Sequence, residues 1–216
     1  VMEVIKQVAP NIPIHVSTQA NITNKYTAKA FADMGAKRLI LARELSIEEI
    51  KEIRDFIPKD VEIECFVHGA MCISYSGRCL LSNYFCGRDA NHGEGVQACR
   101  WDYAICRKDK TSEKFEILED ERGSYILNSK DMNMIEYLDK LVDAGITSFK
   151  IEGRMKSAYY VATVVNAYRR AFNYLLQCRQ KGIDYHCPEI LKTELEQTSH
   201  RKYTTGFYFG ADDKEC

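Results

Sequence analysis

A strand–helix rhythm with a period of about 25 residues restricts the fold more than any other feature of this chain. Residues 12–17 (IPIHVS) read as a strand of branched residues, and residues 21–34 as a helix that stops at Gly35. Residues 37–42 (KRLILA) read as a second strand. Ser46 and Glu49 make a capping box for a helix over 47–56, which Pro58 terminates. Residues 61–67 (VEIECFV) are a third strand. The rhythm then breaks. It resumes with a helix over 132–144 ending at Gly145, a strand over 148–151 and a long helix over 158–179. Pro188 opens a shorter helix to residue 196, and HRKYTTGFYFG follows as an irregular or β segment.

Repeated βα units imply parallel strands. Four are visible, half of the eight that a closed barrel needs. The expectation is an α/β fold: the C-terminal half of a (β/α) TIM-like barrel with a cysteine-rich insertion. The alternative is an open doubly wound sheet, although no glycine-rich phosphate loop follows the first strand. Residues 1–70 then hold barrel βα units, and 71–130 the insertion. The insertion carries a hairpin pairing 103–107 with 115–118 and a short strand at 125–128. Residues 131–186 hold the last βα units, and 187–216 a truncated C-terminal extension. The chain opens on Val1 and soon reaches a buried-looking strand, the way a fragment starts.

Strand residues alternate between faces. Ile14 and Val16 oppose His15 and Ser17; Ile63, Cys65 and Val67 oppose Glu62, Glu64, Phe66 and His68; Phe149 and Ile151 oppose Ser148, Lys150, Glu152 and Arg154. Three strands thus carry one apolar and one polar face. In a barrel the polar faces meet on the axis. Glu64, Lys150 and Glu152 are expected to form a buried charge network there, with His68 and Arg154 nearer the opening. Glu64, His68, Lys150 and Glu152 are the candidate catalytic residues. The alternative is that these charges only satisfy one another, because unpaired buried charge is costly.

The second constraint is chemical. Residues 64–103 hold Cys65, Cys72, Cys79, Cys86 and Cys99 among glycines and arginines, and Cys106 follows. Nine cysteines in a chain of ordinary α/β pattern suggest reduced thiols and a cytoplasmic setting. Crowded thiols in such a chain are more often a metal or cluster site than disulfides. The seven-residue step from Cys72 to Cys79 is not the short C-x-x-C spacing of structural zinc. Cys178 is expected to pack as a small apolar residue in the long helix. No apolar run approaches the roughly 20 residues of a membrane span, and formal net charge is only −1.

The segment ECFVHGAMCISYSGRCLLS resembles the signature of the collagenase-like peptidases, peptidase family U-32. HVSTQANITN, RDANHGEGVQACRWDY, ERGSYILNSKDM and SFKIEGRMKSAYYVATVVNAYR are similar to its other blocks. Within the family the chain is most similar to the branch of prephenate-dependent tRNA uridine hydroxylases. That branch makes wobble 5-hydroxyuridine without molecular oxygen and carries an iron–sulfur cluster. The resemblance implies a 4Fe-4S cluster near Cys72, Cys79 and Cys99, prephenate as co-substrate and tRNA as partner. The family pattern has a cysteine where Gly95 stands, and often one where Asn133 stands. Cys86 or Cys106 then completes the usual four ligands, a three-ligand site forms, or no cluster forms.

Arg78, Arg88 and Arg100, with Arg154 and Lys156, are the candidate substrate-binding residues. Tyr84, Phe85, Trp101 and Tyr103 interleave with the first three, a pattern suited to phosphates and an unpaired base. The plainer reading packs Arg100 and Trp101 onto the barrel and pairs Arg88 with Asp89. Three functions follow: an RNA-modifying hydroxylase, a metal-dependent collagenase-like peptidase using Glu64 and His68, or an inactive or partner-dependent fragment. Open sheet edges would favour a homo-oligomer.

Overall fold

The computed structural model describes residues 1–72, 74–101, 104–107, 110–116 and 130–210, with backbone alone at Arg100 and along 104–107 and 110–116. The hairpin partner at 117–118 and the strand expected at 125–128 lie outside the described residues. The chain divides into two compact units, Val1–Met71 with Lys130–Cys216, and Cys72–Ser129.

The larger unit starts with a short helix, α1 (Met2–Val8), which buries no residue, before β1 (Ile14–Val16). Asn21 takes the left-handed conformation (φ 54°) and closes a 3-10 turn at Thr18–Ala20. The Asn24 side chain accepts from Thr27 N–H at 2.9 Å and starts α2 (Lys25–Asp33). The helix therefore begins four residues later than its apolar spacing suggests, because two asparagines turn and cap the chain first. β2 (Ala36–Ile40) follows, then α3 (Ile47–Phe56). The expected capping box is present: Glu49 N–H donates to Ser46 Oγ at 3.2 Å, and Ser46 N–H to Glu49 Oε2 at 2.8 Å. Ile47, Ile50 and Ile53 give α3 one buried stripe.

β3 (Glu62–Ala70) is the spine of the sheet. In the smaller unit come α4 (Leu81–Cys86) and an antiparallel hairpin, β4 (Ala104–Arg107) with β5 (Lys110–Glu116). The larger unit resumes with β6 (Asp131–Asn133), α5 (Leu138–Asp143), β7 (Ser148–Ile151), α6 (Ala158–Lys181), α7 (Glu189–Glu196) and β8 (Tyr203–Thr204). The helix expected over 132–144 is instead strand, 3-10 turn and helix. Met132, Met134, Ile135, Leu138 and Leu141 are all at most 1% exposed. Their spacing mimics one helical stripe, but the first lies in β6 and the chain turns at Asn133, whose Oδ1 accepts from Ile135 N–H.

β1, β2 and β3 pair in parallel, and β7 runs parallel to β3 along Glu64–His68. β6 pairs antiparallel to the last residues of β3, His68–Ala70, and carries β8 parallel to itself. The fold is thus mixed α/β. Among the described residues the sheet runs β1-β2-β3-β6-β8 without closing, and the antiparallel β6 departs from the all-parallel expectation.

α6 lays Tyr160, Val164, Ala167, Tyr168, Ala171, Leu175 and Cys178 into the core, so Cys178 does pack as a small apolar residue. The segment after β8 returns to the middle of the sheet: Tyr208 Oη donates to the Phe66 carbonyl at 2.5 Å, and Ile47 N–H donates to the Tyr208 carbonyl. No described helix is long and apolar enough to cross a membrane.

Candidate functional site

Strand register assembles the first cluster. β2 places Arg38 opposite Glu62, and β7 places Ser148 opposite Glu64 and Lys150 opposite Phe66. Arg38 donates to Glu62 at 2.7 Å and to Glu64 Oε2 at 3.0 Å. Ser148 Oγ donates to the same Glu64 oxygen at 2.9 Å, and Lys150 Nζ lies 3.6 Å from Oε1. The Arg38 guanidinium is pushed above its ordinary value, first by its hydrogen bond to Glu62. Beside this network the Phe66 ring is covered by Arg43, whose Cζ is 4.3 Å from its centroid, and by Lys150 at 5.1 Å. Glu64 retains 13% side-chain exposure and Lys150 39%. Through Glu64 the network holds the part-exposed Lys150 ammonium in place.

Glu152 does not join this network. Its carboxylate accepts from Arg154 N–H at 2.8 Å, and its own N–H donates to the His68 carbonyl. The ends of β3 and β7 approach so closely here that only glycine fits at position 69. Its φ is +101°, and a Cβ would overlap the Glu152 carbonyl oxygen.

His68 anchors a second cluster. It is 1% exposed and ringed by Tyr160, Tyr168 and Tyr203, so it is covered rather than open to solvent. Its Nδ1 lies 3.3 Å from Tyr168 Oη, which donates to the Val67 carbonyl and accepts from Met134 N–H. Burial outweighs the nearby Asp131 and lowers the His68 pKa to about 4, so the imidazole is neutral at pH 7. Asp131 is fully buried and accepts from Arg201 N–H, with Lys156 Nζ at 3.6 Å. Lys156 also donates to the Ser199 carbonyl and lies over the Tyr160 ring. Its ammonium is thus turned toward groups of the larger unit, with 21% of the side chain still exposed. Beside this cluster opens a cleft of about 500 Å3, whose lining includes Asn133, Glu136, Lys192, Glu196 and Tyr203.

In the smaller unit, Asn91 clamps Cys79 from both sides: Cys79 N–H donates to Asn91 Oδ1 at 3.2 Å, and Asn91 Nδ2 to the Cys79 carbonyl at 3.0 Å. Ser82 Oγ ties the Val96 N–H. Cys72, Cys79 and Cys99 are half-buried and Cys86 is exposed; no described cysteine is in a disulfide. Among the described residues no three Cys, His, Asp or Glu side chains converge enough to hold a metal ion. Arg78 and Arg88 are exposed, while the side chains of Arg100 and Cys106 lie outside the described residues.

The model of peptidase family U32 matches residues 1–216. The chain belongs to peptidase family U32. Its relatives in that family include the Bacillus subtilis tRNA hydroxylation protein P1, 40% identical over 100% of this chain and 50% of its own length. A Methanocaldococcus jannaschii relative described as an uncharacterized protease is 43% identical over 91% of this chain and 47% of its own. The Escherichia coli 23S rRNA 5-hydroxycytidine C2501 synthase is 34% identical over 95% of this chain and 31% of its own. The chain spans about half the length of the first two of these U32 relatives.

Of the four candidate catalytic residues in this U32 chain, only Glu64 and Lys150 meet each other. Glu152 serves its own loop, and His68 sits in the tyrosine cluster. Sequence reasoning passed over Arg38, Asp131 and Tyr168. Arg38 had a usable signal, since alternation along residues 37–42 puts it on the same face as Ile40 and Ala42. Tyr168 also had one, because it falls on the buried stripe of the long helix with Tyr160 and Val164; Asp131 had none, because its burial depends on the strand pairing of β6.

Proposed function

We propose that this chain is part of an enzyme that hydroxylates a pyrimidine base in RNA. The observation that carries the reading is 40% identity over the whole chain to a tRNA hydroxylation protein, with a 23S rRNA hydroxycytidine synthase as a further relative. The finer form of the reading is oxygen-independent 5-hydroxylation of a wobble uridine, with prephenate as hydroxyl donor. In that reading the four parallel strands are half of a barrel completed by the rest of the protein. Lys150, braced by Glu64, and the exposed Arg154 are its candidate anion contacts. An iron–sulfur centre on Cys72, Cys79, Cys99 and Cys86 requires the loops to draw together around the metal. Iron and sulfide per chain in anaerobically purified full-length protein test it.

The decisive experiment is complementation. A bacterial strain lacking its own tRNA hydroxylation protein receives the full-length gene, and its tRNA nucleosides are measured by mass spectrometry. Return of wobble 5-hydroxyuridine supports the reading, and its absence from a strain expressing folded protein refutes it.

The name of the M. jannaschii relative favours a second reading, a peptidase. It would use Glu64 and His68 around a metal. Glu64 is engaged by Arg38, Ser148 and Lys150, and His68 is buried among tyrosines, which weighs against that pair as ligands. Gelatin hydrolysis that persists in Cys72→Ala would support it.

A further inference from the structure

α4 and the 3-10 turn Ala98–Arg100 bring three aromatic rings together on the surface of the smaller unit. Tyr84 and Phe85 meet edge to face with centroids 5.1 Å apart, and Phe85 and Trp101 lie 6.0 Å apart. All three remain open to solvent: Tyr84 is 82% exposed, Phe85 44% and Trp101 46%. Contiguous exposed ring surface is unfavourable in water and marks a place where something docks.

The charges that flank α4 along the chain select the occupant. Arg78 precedes α4 and Arg88 follows it; both are exposed, and neither has a carboxylate partner among the described residues. The two acidic side chains described in this unit, Asp89 and Glu94, are turned to their own loop. Asp89 pairs with His92 at 2.8 Å and accepts from Asn91 N–H, and Glu94 accepts from Asp89 N–H. Arg88 therefore does not pair with its neighbour Asp89. The surface offers flat rings and uncommitted guanidinium groups. Nucleic acid presents the complementary pair, base faces and phosphates. In a duplex the base faces are already stacked on one another, so exposed rings favour unpaired nucleotides.

We infer that Tyr84, Phe85 and Trp101 form a stacking platform for unpaired RNA bases, with Arg78 and Arg88 holding the adjoining phosphates. The inference rests on the reading that the chain acts on RNA, and adds which surface receives it and that looped rather than paired RNA is taken.

Trp101 is the sole tryptophan of this chain, and the difference in emission between the full-length protein and its Trp101→Phe variant isolates the signal of the platform. The full-length protein is titrated with a short RNA stem-loop, the loop sequence alone and a fully paired duplex of equal length. Loop-bearing RNA is expected to quench Trp101 and to bind at least about tenfold more tightly than the duplex. The double variant Tyr84→Ala, Phe85→Ala keeps Trp101 and is expected to lose about tenfold or more of loop affinity, with little change for the duplex. Arg88→Gln is expected to weaken both and to shallow the salt dependence. Binding without any change in Trp101 emission, or a double variant that binds the loop as the parent does, overturns the platform and leaves RNA hydroxylation standing. A double variant altered only in oligomeric state also overturns it, marking a protein contact. Should it fail to fold, the emission titration of the parent and the single variant Tyr84→Ala decide the matter. Failure of the parent to bind any of the three RNAs, together with failed complementation, removes both readings.

Discussion

Around β3, Glu64 meets Arg38, Ser148 and Lys150, and Asp131 meets Lys156 and a backbone N–H. In the smaller unit, Arg78 and Arg88 meet no carboxylate among the described residues, and three aromatic rings face water. The first region uses its polar groups to hold strands together; in the second, Arg78 and Arg88 stand apart from the loop's own polar contacts. Substitutions around β3 should therefore be read out in stability, and substitutions on the α4 surface in binding.

The largest expected effect is at Gly69. Its positive φ and the Glu152 carbonyl leave no room for a methyl group, so Gly69→Ala should cost about 4 kcal/mol or prevent folding. Urea denaturation measures it, and a loss below about 1 kcal/mol would mean that β3 and β7 can separate freely.

Next comes acid. His68 has a folded pKa of about 4, below its unfolded value near 6.5. Between those values the unfolded chain binds the proton and the folded chain does not. Stability is thus full above pH 6.5 and falls as the pH drops toward 4, by about 3 kcal/mol in all. His68→Gln should flatten this limb of a stability–pH profile. An unchanged slope would place the acid sensitivity elsewhere.

Glu64→Gln should cost about 2 kcal/mol, because Arg38 and Lys150 lose their shared counter-charge in a half-buried setting. Tyr84→Ala, at a side chain open to water, should change stability by less than about 0.5 kcal/mol. Thermal or urea melts of these two variants test the contrast directly, and similar losses in both would break it.

The smallest effect is expected at position 95. A Cβ there meets only Ala90, at ordinary contact distance, and the glycine does not need a positive φ. Gly95→Cys should fold with stability within about 0.5 kcal/mol of the parent. On the proposed cluster reading, that variant should hold more iron per chain than the parent, and equal iron in the two counts against a ligand position at 95.

Much of the α/β alternation was legible in the sequence because local signals set it. Ser46 and Glu49 fix the start of α3 whatever packs on it, and the strand at 148–151 lies where its pattern puts it. The sheet's antiparallel member was hidden because Met132, Met134 and Ile135 are buried by strand pairing and a turn that together imitate helical spacing. The site was half legible for a related reason. Alternation correctly puts Glu64 and Lys150 on one face. It cannot foresee that β6 and α6 will bury His68 on that same face. Nor can it show that Glu152 will fold back onto its own loop, a contact set by the close approach at Gly69.

Tyr208 lies far along the chain from Phe66, yet its hydroxyl closes on a carbonyl in the middle of β3, and its own carbonyl receives the first N–H of α3. The segment after β8 is therefore a fastener for β3 and the start of α3. Trimming the chain ahead of Tyr203, a tempting boundary after α7, would remove both β8 and this latch, and the remainder should be recovered from cells mainly as insoluble material.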